Sequence, residues 1–313
     1  MKILHIGDCA GVASQLAAGQ RTLGHQADVL EVWRSPVGYP HDLEDYYEGI
    51  PRGIWAMLRT ARRCGTYDVV HVHGGISRKR LDLVLAKLKG VPVVTHYHGS
   101  DLRMGYGGKL RWLPDAEIVS TPDLLRYRPE ATFIPNPFDA RSLQLLNLPV
   151  EPRLLHMPTD RRLKGSAVFT EAALICSVIA KNRFHYYEPA GLISHREALR
   201  EISRSSVVLD QVGDVRTTGV PGLIGMASLE GMAMGRASIA YMDPDLRPFY
   251  PGLPVQSPKE PNAEATAKVI TELIDDPSKL REIGRKGRDY VLERHDTVKI
   301  AKRHLEIYEG VLA

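Results

Sequence analysis

Apolar runs and amphipathic segments alternate along the first half of the chain. The apolar runs are rich in Val and Ile and have the length of buried strands, whereas the segments between them repeat apolar residues at helical spacing. Strands are predicted at 2–7, 27–33, 68–72, 91–96, 117–120 and 132–134, and helices at 11–23, 54–63 and 79–89. This order predicts an α/β domain with a parallel sheet and right-handed crossovers.

The alternation pauses near Asn136 and starts again after a linker at 146–152. In the second half we predict strands at 153–156, 183–187, 206–210 and 237–241, and helices at 165–179, 195–202, around Glu230, 263–274, 278–294 and 297–310. The chain therefore divides into two Rossmann-like domains, at 1–148 and 149–296, and a C-terminal helix at 297–313. Two such domains leave a cleft at the carboxyl ends of their strands, where ligands of this fold class bind.

The composition is that of a soluble globular protein, with 43% hydrophobic and 25% charged residues. No apolar run approaches the roughly 20 residues that span a bilayer, and no signal-peptide core follows Lys2. The three cysteines, Cys9, Cys64 and Cys176, lie far apart and lack the spacing of a metal site. We therefore expect a cytoplasmic protein with reduced thiols.

The net charge of +4 is unevenly distributed, because residues 52–111 contain twelve basic residues against three acidic ones. Such an excess favours anionic partners such as membrane headgroups, phospholipid acceptors or nucleic acid, although a pair of solvated helix faces would explain it equally well. The candidates for an acceptor or membrane surface are Arg59, Arg62, Arg63, Arg78, Lys79 and Arg80. Peripheral contact with the inner face of the cell membrane is therefore a hypothesis.

The most informative segment is 156–166, where a predicted strand leads through a basic loop into a helix. The loop contains Arg161, Arg162 and Lys164. Cations at a helix N-terminus oppose the helix dipole unless an anion binds there, and the free backbone N–H groups of the first turn favour the same anion. This pattern predicts a diphosphate site.

A second informative segment, at 228–235, places one acid among small residues. Glu230 is flanked by Ser228, Gly231 and Gly235, which let the backbone approach a ligand closely. An acid on the βα unit that follows a diphosphate site is well placed to accept hydrogen bonds from ribose hydroxyls. Together the two segments predict a nucleoside-diphosphate site in the second domain.

The order of these segments resembles the GT-B glycosyltransferases, and within them the retaining, nucleotide-sugar-dependent enzymes of family 4. The resemblance spans essentially the whole chain. It is carried by GV at 11–12, LGH at 23–25, DVVHVHG at 68–74, VVTHYHGSD at 93–101, FIPNPFD at 133–139, RLKG at 162–165 and LEGMAMG at 229–235. It implies a nucleoside-diphosphate-sugar donor, an acceptor that is a glycan, a lipid or a small molecule, and a role in glycan or cell-envelope synthesis. It also implies that the C-terminal helix crosses back to the first domain.

By resemblance, Lys164 and either Arg161 or Arg162 neutralise the donor diphosphate, and His98 contacts the donor sugar or its phosphate. Gly11 is expected to offer a backbone N–H to the donor. Asp210 and Gln211 end a strand, where they either contact the donor or satisfy local backbone groups.

The resemblance implies no cofactor and no metal, because these enzymes generally need none, and no Asp-x-Asp pair of the metal-dependent type is present. It also implies front-face transfer, in which the leaving diphosphate helps to deprotonate the acceptor. No nucleic-acid partner is expected.

One departure concerns the donor sugar. Family 4 enzymes commonly have a glutamate eight positions before the residue that matches Glu230, and Gly222 stands there instead.

The alternatives to a glycosyltransferase are a non-catalytic sugar-nucleotide-binding homologue or partner subunit and a GT-B sugar-nucleotide epimerase. A nicotinamide dehydrogenase fits poorly, since the loop at 7–12 lacks the Gly-x-Gly-x-x-Gly pattern.

Overall fold

The computed structural model describes residues 1–47, 49, 52–74, 80–105, 110, 112–181 and 183–313. These residues form two compact units. Unit 1 consists of Met1–Phe138 and His295–Ala313, and unit 2 of Asp139–Arg294. The division after Phe138 precedes the expected one at residue 148.

Unit 1 contains a parallel sheet of seven strands among its described residues, in the order β3-β2-β1-β4-β5-β6-β7. The strands are β1 (Lys2–Ile6), β2 (Gln26–Glu31), β3 (Leu43–Glu44), β4 (Val69–His73), β5 (Val93–Tyr97), β6 (Ala116–Val119) and β7 (Thr132–Phe133). The helices are α1 (Val12–Thr22), α2 (Arg52–Cys64), α3 (Leu81–Leu88), the one-turn α4 (Ser100–Arg103) and the C-terminal α10 (Thr297–Leu312).

Helices cover both faces of this sheet, so its central strands are buried on both sides. Leu4 of β1 packs into a core with α2 and α3. Its neighbour Ile3 points to the opposite face and packs against α1 and α10, where Ile300, Leu305 and Tyr308 are buried. The C-terminal helix is therefore part of the core of unit 1.

Unit 2 contains a parallel sheet of four strands among its described residues, in the order β11-β10-β8-β9. The strands are β8 (Arg153–His156), β9 (His185–Tyr187), β10 (Val207–Gln211) and β11 (Ala237–Ala240). The helices are α5 (Ser166–Ile179), α6 (His195–Ser203), α7 (Met226–Ala233), α8 (Ala263–Ile274) and α9 (Pro277–Arg294). Because β8 and β10 are neighbours, the loops at their carboxyl ends lie side by side.

The predicted α/β class with parallel sheets is confirmed. The sequence did not predict the two-residue β3 at the sheet edge or the one-turn α4, because both are too short to show a period. Among the described residues, no helix combines the length and the apolar character needed to cross a membrane.

His295 begins the return of the chain into unit 1 and is buried. Its Nδ1 donates a hydrogen bond to the Asn136 carbonyl oxygen, 2.7 Å away. Burial lowers the pKa of His295 to about 4. The ring is therefore neutral in the folded protein at a pH where the unfolded chain, with a pKa near 6.5, already binds a proton.

The linkage predicts that His295 makes unfolding easier as the pH falls from about 6.5 to 4. Between pH 7 and pH 5 this residue alone should remove about 2 kcal/mol from the free energy of unfolding. Urea unfolding of the wild type and of His295→Gln at both pH values measures the effect. The wild type should lose about 2 kcal/mol more than the variant, and equal losses would contradict the assignment.

Candidate functional site

The loop that joins β8 to α5 is fixed at its end by Gly165. This residue has a left-handed conformation, with φ of 68°, and caps the N-terminus of α5. A Cβ atom at this position would overlap the Val212 carbonyl oxygen. Only glycine can therefore hold the start of α5 this close to the end of β10.

His156, at the end of β8, also holds the start of α5 in place. Its Nδ1 donates to the Leu209 carbonyl oxygen at 2.8 Å, which leaves Nε2 to accept from the Ser166 hydroxyl, also at 2.8 Å. The side chain is buried, and burial lowers its pKa. A neutral His156 therefore links β8, β10 and α5. No role for His156 was predicted from the sequence.

Lys164 lies beside the carboxyl end of β10. Its Nζ donates to Asp210 Oδ1 at 3.0 Å and to Gln211 Oε1 at 2.9 Å. The Gln211 amide group in turn donates to the Leu223 carbonyl oxygen. The two strand-end residues thus orient the lysine and also satisfy local groups.

Asp210 is the most constrained acid of this site, since its side chain is completely buried. Besides Lys164 it accepts hydrogen bonds from the Ser228 hydroxyl at 2.7 Å and from the Gly225 backbone N–H at 2.5 Å. Burial alone would raise the pKa of Asp210, but the charge of Lys164 and these hydrogen bonds lower it. Asp210 therefore stays ionised and connects the lysine to the start of α7.

The two arginines of the loop differ in their surroundings. Arg161 is ion-paired with Glu188, whose side chain is buried although the arginine is exposed. Arg162 is exposed and makes no ion pair with any residue that the structure describes. The resemblance left open which arginine joins Lys164, and Arg162 is the one whose fork of donors is not already engaged.

Glu230 lies in α7 and is almost fully buried. Its Oε1 lies 2.9 Å from Nε2 of His195, the first residue of α6. The position of His195 is fixed by a capping box, in which Ser194 and Glu197 satisfy each other's backbone N–H groups. The sequence did not predict this histidine, because it is 35 residues away from its partner.

Gly222, which stands in place of the first family glutamate, packs against Tyr241. A Cβ atom there would lie 2.7 Å from the Tyr241 carbonyl oxygen and would also overlap its ring. Local packing therefore leaves no room for a side chain at this position.

In unit 1, Gly11 has a left-handed conformation at the N-terminus of α1. The carboxylate of Asp8 accepts hydrogen bonds from the backbone N–H groups of Ala13 at 3.0 Å and Ser14 at 3.2 Å. Burial raises the pKa of Asp8. Asp8, for which the sequence predicted no role, thus occupies part of the N-terminus of α1, where the donor was expected to bind.

His98 directly follows β5. Its Nε2 lies 3.1 Å from Nδ1 of His73, and its backbone N–H donates to Asp101 at 2.9 Å. Burial lowers the pKa of His98 to about 4, with the nearby Asp101 opposing the shift. His98 is therefore a neutral ring at neutral pH, able to hydrogen-bond but not to act as a cation.

The basic residues expected at an acceptor or membrane surface are not equivalent. Arg59 and Arg63 of α2 both pair with Asp45, at 2.7 and 3.0 Å. Arg62 is exposed and has no ion-pair partner among the described residues.

Arg80 differs from the expectation of an exposed residue. It is buried and pairs at 2.8 Å with Asp82, which is buried as well and also accepts from the Tyr47 hydroxyl. Arg78 and Lys79 lie outside the described residues.

The predicted site residues thus divide between the units. Unit 2 brings Lys164, Asp210 and Gln211 into direct contact, and the hydrogen bond from Ser228 to Asp210 joins them to the helix that contains Glu230. Gly11 and His98 belong to unit 1.

Comparison with known proteins agrees with the motifs of unit 1. The family described as Glycosyltransferase Family 4 matches residues 10–127. A comparison with curated proteins finds no match.

Solved structures match the chain over its whole length. HepE from Anabaena, in complex with UDP and glucose, has a TM-score of 0.68 at 13% identity, over 99% of this chain and 100% of HepE. An alpha-glucosyltransferase in complex with UDP and DNA has a TM-score of 0.69 at 12% identity, over 99% of each chain. The chain has the GT-B fold. The resemblance to GT-B glycosyltransferases of family 4 is confirmed.

The same GT-B fold is shared by proteins named for a different reaction. A putative UDP-N-acetylglucosamine 2-epimerase from Listeria monocytogenes has a TM-score of 0.61 at 14% identity, over 99% of this chain and 96% of the epimerase. Fold likeness alone does not separate transfer from epimerisation.

Proposed function

We propose that this GT-B protein is a retaining glycosyltransferase that moves a sugar from a nucleoside-diphosphate sugar to an acceptor hydroxyl. The family match at residues 10–127 and the likeness to UDP-bound structures support sugar transfer. The observation that carries the proposal is the placement of Lys164 in the basic loop of unit 2, where Asp210 and Gln211 orient it.

In the proposed reaction, the bond between the sugar C1 atom and the diphosphate oxygen breaks while the acceptor oxygen bonds to C1 on the same face. Negative charge develops on the leaving diphosphate, which takes up the acceptor proton. Lys164 and Arg162 stabilise this charge, and fixed cations aimed at developing charge commonly give the largest catalytic effect of such a site. His98 contributes a neutral hydrogen-bonding ring to the donor sugar or its phosphate.

Glu230 is proposed to accept hydrogen bonds from the ribose. His195 contacts Oε1 of Glu230 and so fixes the orientation of the carboxylate. We expect Glu230→Gln to weaken UDP binding about 10–100-fold, because a hydrogen bond to a charged group is worth about 1.5–3 kcal/mol. UDP is the probe because HepE and the alpha-glucosyltransferase bind it. Calorimetric titration gives the affinity.

Deoxy-UDP analogues make this test specific to the ribose. If Glu230 contacts the ribose, removing the matching hydroxyl should weaken binding to the wild type and have little further effect on Glu230→Gln. Glu282→Gln, an exposed glutamate paired with Lys286, is the control and should bind like the wild type. Additive losses in Glu230→Gln would place the ribose elsewhere.

We also propose that α2 contacts an anionic membrane or a lipid acceptor. Its exposed side includes Ile54, Trp55 and Leu58, together with Arg62, which has no ion-pair partner in the part of the chain that the structure describes. Exposed apolar and cationic residues on one helix are typical of interfacial binding.

Trp55→Ser with Arg62→Glu should abolish sedimentation with vesicles that contain phosphatidylserine. Lys286→Glu in α9 is the matched control, because it reverses an exposed charge in unit 2. The double variant keeps the ion pairs of Arg59 and Arg63 with Asp45. Unchanged sedimentation of this variant would show that α2 does not bind the membrane.

The epimerase is the second candidate, favoured by one of the structural matches. Product analysis separates the two reactions. A transferase releases the nucleoside diphosphate together with a glycosylated acceptor, whereas an epimerase changes the configuration of the sugar.

A further inference from the structure

Six histidines lie together on one face of the sheet of unit 1. They form the histidine cluster: His5, His71, His73, His96, His98 and His304. His71 and His73 share a face because side chains alternate along a strand, and His73 is the register partner of His96 on β5. His304 approaches from α10, and its ring centroid lies 5.6 Å from that of His71.

One half of the cluster satisfies its own hydrogen bonds. His5 Nε2 donates to the Gln20 amide oxygen at 2.8 Å, His73 Nε2 lies 3.0 Å from His5 Nδ1, and His98 Nε2 lies 3.1 Å from His73 Nδ1. His5 donates to Gln20, and in the same way His73 can donate to His5 and His98 can donate to His73. These bonds engage both ring nitrogens of His5 and of His73, and Nε2 of His98.

The other half is not satisfied. His71 Nε2, both ring nitrogens of His96 and His304 Nε2 are buried without a hydrogen bond to any described residue. One ring nitrogen from each of the three lies within 4.8 Å of the other two. Buried polar atoms are rarely left without a partner, so three neighbouring rings with unpartnered nitrogens indicate a ligand.

In two of these histidines, the ring nitrogen Nδ1 has a hydrogen-bond partner. His304 Nδ1 lies 2.9 Å from the Ile300 carbonyl oxygen, which can only accept, so the lone pair of the neutral ring is on Nε2. His71 Nδ1 lies 2.5 Å from the Tyr308 hydroxyl, which also accepts from the Gln20 amide at 3.3 Å and has a second lone pair that can accept from His71 when Nε2 binds an ion. Metal-binding histidines usually donate their other ring N–H to such a group.

The rings are also in the protonation state that binds a metal. Burial lowers the pKa of His304 to about 3 and that of His71 and His96 well below the ordinary value. Neutral imidazole is a good ligand for Zn²⁺ and other late transition metals, whereas Mg²⁺ and Ca²⁺ need oxygen ligands. The group contains no carboxylate.

We propose that His71, His96 and His304 bind one Zn²⁺ ion, which joins α10 to β4 and β5. The ligand nitrogens of a tetrahedral Zn²⁺ ion lie about 3.4 Å apart. The three rings therefore move slightly towards one another when the ion binds, and a water molecule is the fourth ligand. The ion has a structural role within unit 1 and takes no part in the proposed sugar transfer.

The experiment titrates chelator-treated full-length protein with Zn²⁺ by calorimetry and with Co²⁺ by visible absorption. We expect one ion per chain and the strong absorption of a four-coordinate Co²⁺ site. His96→Asn and His304→Asn should each weaken binding by at least about 100-fold. His295→Gln should bind like the wild type, because it changes a buried histidine of the same unit whose Nδ1 already has a partner.

His96→Asn is the decisive variant, since it removes no hydrogen bond to a described residue, and circular dichroism establishes that it is folded. Absence of a stoichiometric ion in the wild type would overturn the proposal. So would undiminished Zn²⁺ affinity in His96→Asn and His304→Asn, which would place the ion at the surface. UDP binding, measured in the same samples, tests the proposed function separately.

Discussion

Replacement of Lys164 by alanine is expected to lower kcat/KM for sugar transfer about 10²–10³-fold. The reason is that the developing charge on the diphosphate loses a fixed cation, and removing one such group from a preorganised site has an effect of this size. Initial rates with a UDP-sugar panel measure it. Lys164→Arg should retain part of the activity, because it keeps the charge but changes its geometry.

The same substitution also leaves Asp210 buried with no cation beside it, and breaking a buried pair costs about 3–5 kcal/mol. The stability loss must therefore be separated from the catalytic one. A double-mutant cycle of Lys164→Met and Asp210→Asn does so, since the double variant removes both charges. It should recover stability but not activity. Full activity in Lys164→Ala would mean that the lysine only balances Asp210. Lys286→Ala, at an exposed lysine of α9, is the control.

Gly165→Ala is expected to destabilise the protein by at least about 2 kcal/mol. A left-handed residue with a Cβ atom costs about 1–2 kcal/mol, and the added atom also collides with the Val212 carbonyl oxygen. Relief of this collision requires α5 to move away from β10, which shifts Lys164 as well. Thermal unfolding gives the stability, and a UDP titration shows whether the diphosphate site moves.

Gly219→Ala is the matched control for this substitution. Gly219 also has a positive φ, 77°, but a Cβ atom there meets nothing within 4 Å. It reports the conformational cost alone. If both variants lose the same stability, the contact with Val212 does not matter and the close approach of α5 to β10 is not what requires glycine.

The sequence predicted most strands and helices because their burial repeats at a regular period. β8 begins and ends where the pattern placed it, at Arg153 and His156, and α8 runs over Ala263–Ile274 as expected. Strands and helices that pack into the core repeat apolar residues at a regular spacing, and this spacing predicts them. The two-residue β3 and the one-turn α4 were missed, because neither is long enough to show a period.

The partners within the candidate site could not be read in the same way. Glu230 was singled out by its small neighbours, but His195, which holds it, is distant along the chain and stands at the start of another helix. His71 and His73 stand two positions apart in the sequence, yet nothing local in the sequence shows that α10 covers them with His304. Pairings of this kind depend on topology rather than on periodicity.

The return of α10 into unit 1 has a consequence for synthesis on the ribosome. Unit 2 is complete once Arg294 has been made, whereas unit 1 still lacks Ile300, Leu305 and Tyr308 from its core. Domains generally fold as they emerge. Here unit 1 begins before unit 2 and is completed after it, so the apolar face of β1 and α1 stays uncovered in the nascent chain until α10 has been released.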